Sequence, residues 1–580
     1  IPYPIPIVNP ASRSEAGVAV KCAVGSGLQV CGRNGKHAFE ALGCTHGVVM
    51  DMRKLSEMEV LAEQEGKGSG GVQVHVGAGN MLGMVAAKAV ARRLWLPAGV
   101  CPTVGATGLA LVGGQGMLSR LHGLTADRLE GLEMVDYTGE VVRVSDTQNA
   151  ELLWLAKGGG GYEHFPGIIT GLTFRFIEMD PAEKKWVKFK AVIHDPLSQV
   201  DEAFRFWQSW APNHPDRRLT AELWVARQWD SKISAHFTGL FFGPKHEFEA
   251  LWLAEVEPVI RANMTCNETG ALDYMIAAGG VKSESELLSG KHGWDAYGSA
   301  WKGRSFVANK IMHNVSAFSD LARHIFTIQG RMYLYLELKP LGGAIAEVKA
   351  SESAFWHRQA SWWGLFQTFW PWWEEAEEHI ERSAQAYGRM VAGMQQQGVY
   401  GGQYVGYVDH DGAPSRGQEL RNYYGDNLER IQDIRRKWDP SGVFRHANPK
   451  VEVTVADKKP LWEDILEMKA NSKGKGTVIE DWETDKDESG EDESEGARKE
   501  DGGRGKGASN ARGRQGAEKK REQTRADGAA DLKALRHARY KQGDRSRSAP
   551  AAWDKALDNS RVRKQADRIK YSHWQKSKNK

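Results

Sequence analysis

The strongest constraint on this chain is a glycine-dense stretch headed by a cysteine. It reads Val100-Cys101-Pro102-Thr103-Val104-Gly105-Ala106-Thr107-Gly108 and continues through Gly113-Gly114-Gln115-Gly116 to His122-Gly123-Leu124-Thr125-Ala126-Asp127. Upstream lies a basic turn that ends in histidine, Arg33-Asn34-Gly35-Lys36-His37. Glycine has no Cβ, so its backbone N–H can come close to a phosphate, and successive N–H groups aimed inward make an anion-binding concavity. One such loop is ordinarily just a turn, in a chain that holds 64 glycines. Several in fixed order, with Arg33 and Lys36 supplying positive charge, point instead to a bound pyrophosphate. Asn34, Gly35 and Lys36, then Gly105, Gly108, Gly113 and Gly114, are the candidate contacts.

The 580 residues suffice for two or more cored domains. Net charge is +3, so bulk charge says little about partners, but its distribution is uneven. Residues 502–580 carry 23 Lys and Arg against 8 Asp and Glu, after a mostly acidic stretch at 480–500. Such a tail has too little apolar surface to offset an ordering entropy of about 1–2 kcal/mol per residue. Residues from 456 onward are therefore predicted to be disordered, apart from a helix near 551–570. They are either simply solvated or a binding segment for an anionic polymer. No run of eighteen apolar residues occurs, so no membrane span is predicted.

Glycosylation triplets at Asn263, Asn267 and Asn314 point to secretion or an endomembrane lumen. A first residue of Ile1 fits a removed leader or a truncation. The five cysteines are Cys22, Cys31, Cys44, Cys101 and Cys266. Cys31 and Cys44 bracket the His37 turn; they either staple it or are buried thiols.

Hydrophobic periodicity predicts strands at 28–32, 47–52, 72–76 and 168–177, a hairpin at 129–144, and helices at 15–24 and 80–94. From about residue 181 the pattern changes. Segments 186–192, 219–226, 235–242, 331–338 and 344–348 read as strands of an antiparallel sheet, and 373–396 as a long helix. Segment 401–408 reads as a strand and 424–438 as a helix. The mixture is α+β, without the regular alternation of a doubly wound sheet.

Further motifs make the pattern specific. They are Ile7-Val8-Asn9-Pro10-Ala11-Ser12, Glu151-Leu152-Leu153-Trp154 with Gly158-Gly159-Gly160-Gly161 and Gly167-Ile168-Ile169-Thr170, and Ala354-Phe355-Trp356-His357-Arg358. Near the C-terminal end follow Tyr404-Val405-Gly406-Tyr407-Val408-Asp409 and Tyr424-Gly425-Asp426-Asn427 through Asp439-Pro440-Ser441-Gly442-Val443-Phe444. Together with the two glycine loops, this set resembles the FAD-linked oxidases of the berberine-bridge-enzyme-like family.

The resemblance implies a PCMH-type FAD-binding domain built from both chain ends (1–180 and 401–455), an inserted antiparallel-sheet substrate domain (181–400) and a disordered tail (456–580). It implies FAD bonded to His37 and Cys101, with Arg33, Asn34, Gly35, Lys36, Val104, Gly105, Gly108, Gly113, Gly114, Gly116, Ile168 and Tyr404 also at the cofactor. It implies no metal. It gives Tyr407 the role of catalytic base; Glu337 and Glu347, placed by their own pattern on candidate substrate-domain strands that floor the site, are the alternatives. The short side chain of Val104 leaves dioxygen access to the flavin, which favours an oxidase. A carbohydrate or other alcohol would give up a hydride, and dioxygen would be reduced to hydrogen peroxide.

Three departures stand out. Lys36 replaces a glycine, so the loop is expected to bend differently. Gly406 replaces an asparagine, which removes a polar contact. The segment Tyr162-Glu163-His164-Phe165-Pro166 is inserted. Lys36 and Gly406 motivate a rival reading, a catalytically weakened flavin-fold protein that works as a binding module, its basic tail binding anionic polymers.

Overall fold

The computed structural model describes residues 6–41, 47–61, 71–160, 165–179, 186–257, 263–290, 299–371 and 376–444. The predicted tail, Cys44 with the staple it would form, and residues 162–164 of the insertion lie outside these ranges.

The first layer is a parallel sheet of β1 (Ile7–Val8), β2 (Val30–Arg33) and β3 (Val48–Asp51), in the order β1-β3-β2. Helix Arg13–Gly25 starts at Ser12, whose hydroxyl accepts from the Glu15 amide, and it packs Ala16, Val20 and Ala23 onto this sheet. Residues 443–444 return to the same layer. Phe444 bridges Val30, and the Val30 amide donates to the Val443 carbonyl at 2.9 Å. Asp439 fixes that return by accepting from the amides of Val443 and Phe444 at 2.7 and 3.0 Å.

The second sheet is antiparallel. It comprises β4 (Met58–Val60), β5 (Val72–Gly77), β6 (Leu94–Trp95), β7 (Leu129–Val135), β8 (Val141–Ser145) and β9 (Ile168–Glu178). The order is β4-β5-β9-β7-β8, with β6 on β9. Its core takes Leu82, Val85 and Ala89 from helix Leu82–Val90, and Tyr423, Tyr424, Ile431 and Ile434 from the C-terminal helices.

The third sheet holds β10 (Trp186–Ile193), β11 (Leu219–Arg227), β12 (Ile233–Phe241), β13 (Met264–Thr269), β14 (Ser299–Ala308), β15 (Tyr333–Pro340), β16 (Trp362–Pro371) and β17 (Tyr400–Gly402). Its order is β13-β10-β12-β11-β15-β16-β14-β17. Period-two alternation divides its faces. Leu334, Leu336, Leu338, Trp362 and Phe366 enter a core beneath helices Pro196–Trp210, Ser316–Thr327 and Ala376–Gln396. Each such fully buried side chain contributes about 1.5–3 kcal/mol. The alternate positions, Tyr335, Glu337, Lys339, Trp363 and Leu365, face the other way. There Trp363 and Leu365 cluster with Leu124 of the glycine loop and with Phe355 and Tyr404.

Buried arginines lock the glycine loop onto its surroundings. Arg120 donates to the carbonyls of Leu219 and His214 at 2.8 and 2.6 Å. Arg358 holds Asp127 in a two-pronged pair at 2.8 and 2.7 Å.

One predicted strand is absent and another is cut short. Segment 344–348 is a 3-10 turn, Gly343–Glu347, because Gly342 and Gly343 take φ of 77° and 55° and break the extended chain. Glu347 consequently pairs with Arg217 at the surface and is no floor of a site. In 401–408 the strand stops at Gly402, whose φ is 123°, and the chain turns so that the Tyr407 amide donates to the Tyr404 carbonyl at 3.0 Å.

Candidate flavin site and its acid–base cluster

His37 and Cys101, 64 positions apart in sequence, meet at one hydroxyl. His37 Nε2 lies 2.7 Å from Thr103 Oγ1, and Cys101 Sγ lies 3.8 Å from the same oxygen. The two loops interlock through glycine. A Cβ on Gly35 would fall 2.3 Å from the Gly105 nitrogen and 2.4 Å from the Thr103 carbonyl oxygen, so no side chain fits between them. Asn34 reaches past this contact, and its Nδ2 donates to the carbonyls of Ala78 and Asn80, both at 2.9 Å.

Lys36 takes φ of 64°, the left-handed region that glycine enters freely. A lysine held there carries a strain of about 1–2 kcal/mol. Gly406 also has a local reason. A Cβ there would sit 2.5 Å from the Tyr404 ring, so an asparagine has no room.

The residues present suit an FAD. Arg33 Nε, Asn34 Oδ1 and Thr107 Oγ1 are buried here without a partner among the described residues. Burying such groups unsatisfied costs about 1–3 kcal/mol each, and a ligand rich in hydroxyl and phosphate oxygens relieves that cost. Gly108 faces open space, whereas Gly113, Gly114 and Gly116 are set by the protein itself. Their Cβ positions collide with Phe355, Thr125 and the Ala98 carbonyl. Ile168, at the start of β9, is buried against the first layer beside Val30 and Met50. Val104 is half-buried, and its carbonyl accepts from the Leu82 amide at 2.9 Å.

Beside the loops lies an aromatic and ionic cluster. Tyr404 and Tyr407 were expected on opposite faces of a strand. The turn puts both in one cluster, ring centroids 5.2 Å apart and edge to face. Tyr407 also packs on Trp363 at 5.2 Å and on Phe39 at 5.0 Å. Burial pushes the Tyr404 phenol up to about 12, although a hydrogen bond with the Gly114 backbone opposes the shift. Burial drives Tyr407 far above its ordinary value, against the pull of Lys339 and with Glu337, Tyr404 and Glu222 reinforcing it. That direction is opposite to what a phenolic base needs.

Glu337 behaves differently. Lys339 Nζ stands 2.8 Å from Glu337 Oε1 and 3.3 Å from Glu222 Oε1, and Trp224 Nε1 donates to Glu222 Oε2 at 3.1 Å. Both carboxyls are buried. Two buried carboxylates facing one ammonium favour retention of a proton. Burial first, then the Glu222 charge, raise the Glu337 carboxyl to about 7, while Lys339 resists. Burial works against the Lys339 charge, but Glu222 and Glu337 together hold its pKa well above the ordinary value.

The sequence reading missed Thr103, Glu222 and Lys339. Lys339 was within its reach, two positions from Glu337 on one strand and so on the same face. Glu222 was not, because its place opposite Lys339 depends on the register of β11 against β15.

Comparison with known proteins fixes the class. Residues 4–145 match the family model described as FAD binding domain, and residues 403–449 match the one described as berberine and berberine like. An FAD-linked oxidoreductase, sorD, of Penicillium rubens is 29% identical over 458 residues, covering 76% of this chain and 89% of the relative. A glucooligosaccharide oxidase of Sarocladium strictum is 24% identical, covering 76% and 86%. Among solved structures, a chitooligosaccharide oxidase shares the fold with a TM-score of 0.64 at 20% identity, covering 76% and 91%. A berberine bridge enzyme variant does so with a TM-score of 0.66 at 19%, covering 76% and 89%.

The chain is therefore an FAD-dependent oxidoreductase. Two of its segments match an FAD binding domain and a berberine-like domain, and along about three quarters of its length it is similar to the FAD-linked oxidoreductases. Among the described residues no helix is long and apolar enough to cross a membrane.

Proposed function

We propose that this protein is an oxidase that holds FAD through bonds to both His37 and Cys101 and oxidises an alcohol-type substrate, a carbohydrate in the first instance. The observation that carries the reading is the convergence of His37 and Cys101 on Thr103 Oγ1. The relatives named as oligosaccharide oxidases support the substrate class.

Bound FAD supplies a two-electron acceptor for the substrate hydride and, once reduced, a two-electron donor to dioxygen. Glu337, ionised above about pH 7, takes the substrate hydroxyl proton. Tyr407, a neutral phenol, hydrogen-bonds the substrate oxygen, and Lys339 holds Glu337 in place. The C–H bond loses a hydride and the O–H bond a proton, so an alcohol becomes a carbonyl compound; two electrons and two protons pass to dioxygen as hydrogen peroxide.

Two measurements test this. Peptide mass mapping of the purified yellow protein should find flavin joined to both His37 and Cys101, and unmodified peptides from fully loaded protein would sink the attachment. Sugars and other alcohols should bleach the flavin anaerobically and yield peroxide in air; bleaching without peroxide would make the protein a dehydrogenase. The half-buried Asn263 and the exposed Asn267 and Asn314 suit a secreted, glycosylated protein, and an endoglycosidase mobility shift checks that.

A further inference from the structure

We propose that Lys302 is a positioning residue for flavin attachment, acting through Glu40 to hold the loop that carries His37 against the edge of the eight-stranded sheet. The inference rests on the attachment of flavin to His37.

The geometry starts three residues past His37. Glu40 takes φ of 54°, a left-handed conformation costly for a residue with a Cβ. Its carboxylate is paired with the Lys302 ammonium, which is 7% exposed. The same ammonium lies 2.9 Å from Asp409 and 3.1 Å from Asp411. Asp409 is fully buried and also pairs with Arg304 at 2.6 Å. A single buried cation thus ties the His37 loop to the segment that presents Tyr404 and Tyr407.

The neighbouring residues reinforce that tie. Phe39, between His37 and Glu40, stands edge to face on Trp301 at 4.6 Å and packs against Tyr407 at 5.0 Å. A Cβ on Gly303 would lie 2.4 Å from the Phe39 ring, so glycine there admits the ring. Trp301 and Gly303 share one face of β14 and Lys302 sits on the other. On that side, among the described residues, β17 pairs only with Val307 and Ala308, and the His37 loop straddles the edge at residues 301–303.

Attachment exchanges a C–H bond of the flavin methyl group and the N–H bond of the His37 ring for a C–N bond. The two electrons and two protons released pass to dioxygen as hydrogen peroxide. The ring nitrogen must be held beside that carbon, and misplacement by about 1 Å can cost about a hundredfold in rate. Cys101 rides on a different loop, so loss of the clamp should spare its bond.

The test is Lys302→Met, Lys302→Arg and Glu40→Gln beside the wild type, with the flavin-bearing fractions of the His37 and Cys101 peptides followed by mass over time. Lys302→Met and Glu40→Gln should slow the His37 bond by about tenfold or more and leave the Cys101 bond at its wild-type rate, with Lys302→Arg restoring much of the loss. If Lys302→Met fails to fold, Glu40→Gln decides, because it leaves the Lys302–Asp409 pair intact. His37 labelling at the wild-type rate, or equal slowing of both bonds, overturns the inference. Wild-type protein with no flavin on His37 overturns the attachment reading itself, and this inference with it.

Discussion

Replacing Glu222 by glutamine should move the pH at which the protein becomes competent to oxidise its substrate. Glu222 and Glu337 both contact Lys339 Nζ, at 3.3 and 2.8 Å, so their contacting oxygens lie no more than about 6 Å apart. At an effective dielectric constant of about 20, two charges at that separation repel by about 3 kcal/mol, equivalent to about 2 pH units. Burial is the first cause of the raised Glu337 carboxyl, and it remains in the variant. The inflection in the anaerobic flavin-reduction rate should therefore fall from near 7 toward about 5 in Glu222→Gln.

Only about a tenth of wild-type molecules carry an ionised Glu337 at pH 6, so reduction there should accelerate by up to about tenfold. A lower pKa also weakens the base, which makes tenfold a ceiling. At pH 8.5, where Glu337 is ionised in both proteins, the variant should be the slower of the two because its base is weaker. The linkage has a definite sign. Because folding raises this pKa from 4.5 to about 7, the protein loses stability as pH rises through that window. The loss should be smaller in the variant. Stopped-flow reduction from pH 5 to 9 is the assay, and an inflection that stays near 7 or moves upward would refute the shared-proton argument.

Two further outcomes are expected. Val104→Leu should slow reoxidation of the reduced flavin by dioxygen and leave anaerobic reduction nearly unchanged; equal reoxidation traces would remove Val104 from the oxygen path. Arg358→Met should cost about 3–5 kcal/mol, because it leaves Asp127 without its two-pronged buried partner, and a thermal midpoint within a degree of wild type would show that the pair contributes little.

The sequence by itself determined the class of this protein. The ordered glycine loops, the His37 and Cys101 positions, and the Tyr404–Asp409 and Asp439–Phe444 motifs are local in sequence, and local pattern was enough to read them. The alternation of β15 already put Glu337 and Lys339 on one face. Tertiary structure decided what lies between separate segments. Gly342 and Gly343 turned one predicted strand into a turn and Gly402 cut another short, because left-handed backbone breaks an extended chain whatever the hydrophobic pattern. The Gly402 turn put Tyr404 and Tyr407 in one cluster. Strand register, which no single segment encodes, set Glu222 opposite Lys339 and thereby moved the protonation of Glu337. Lys302 reads in sequence as an ordinary charged strand residue. Only the approach of the His37 loop and of Asp409 from distant parts of the chain makes it the centre of a buried ionic cluster.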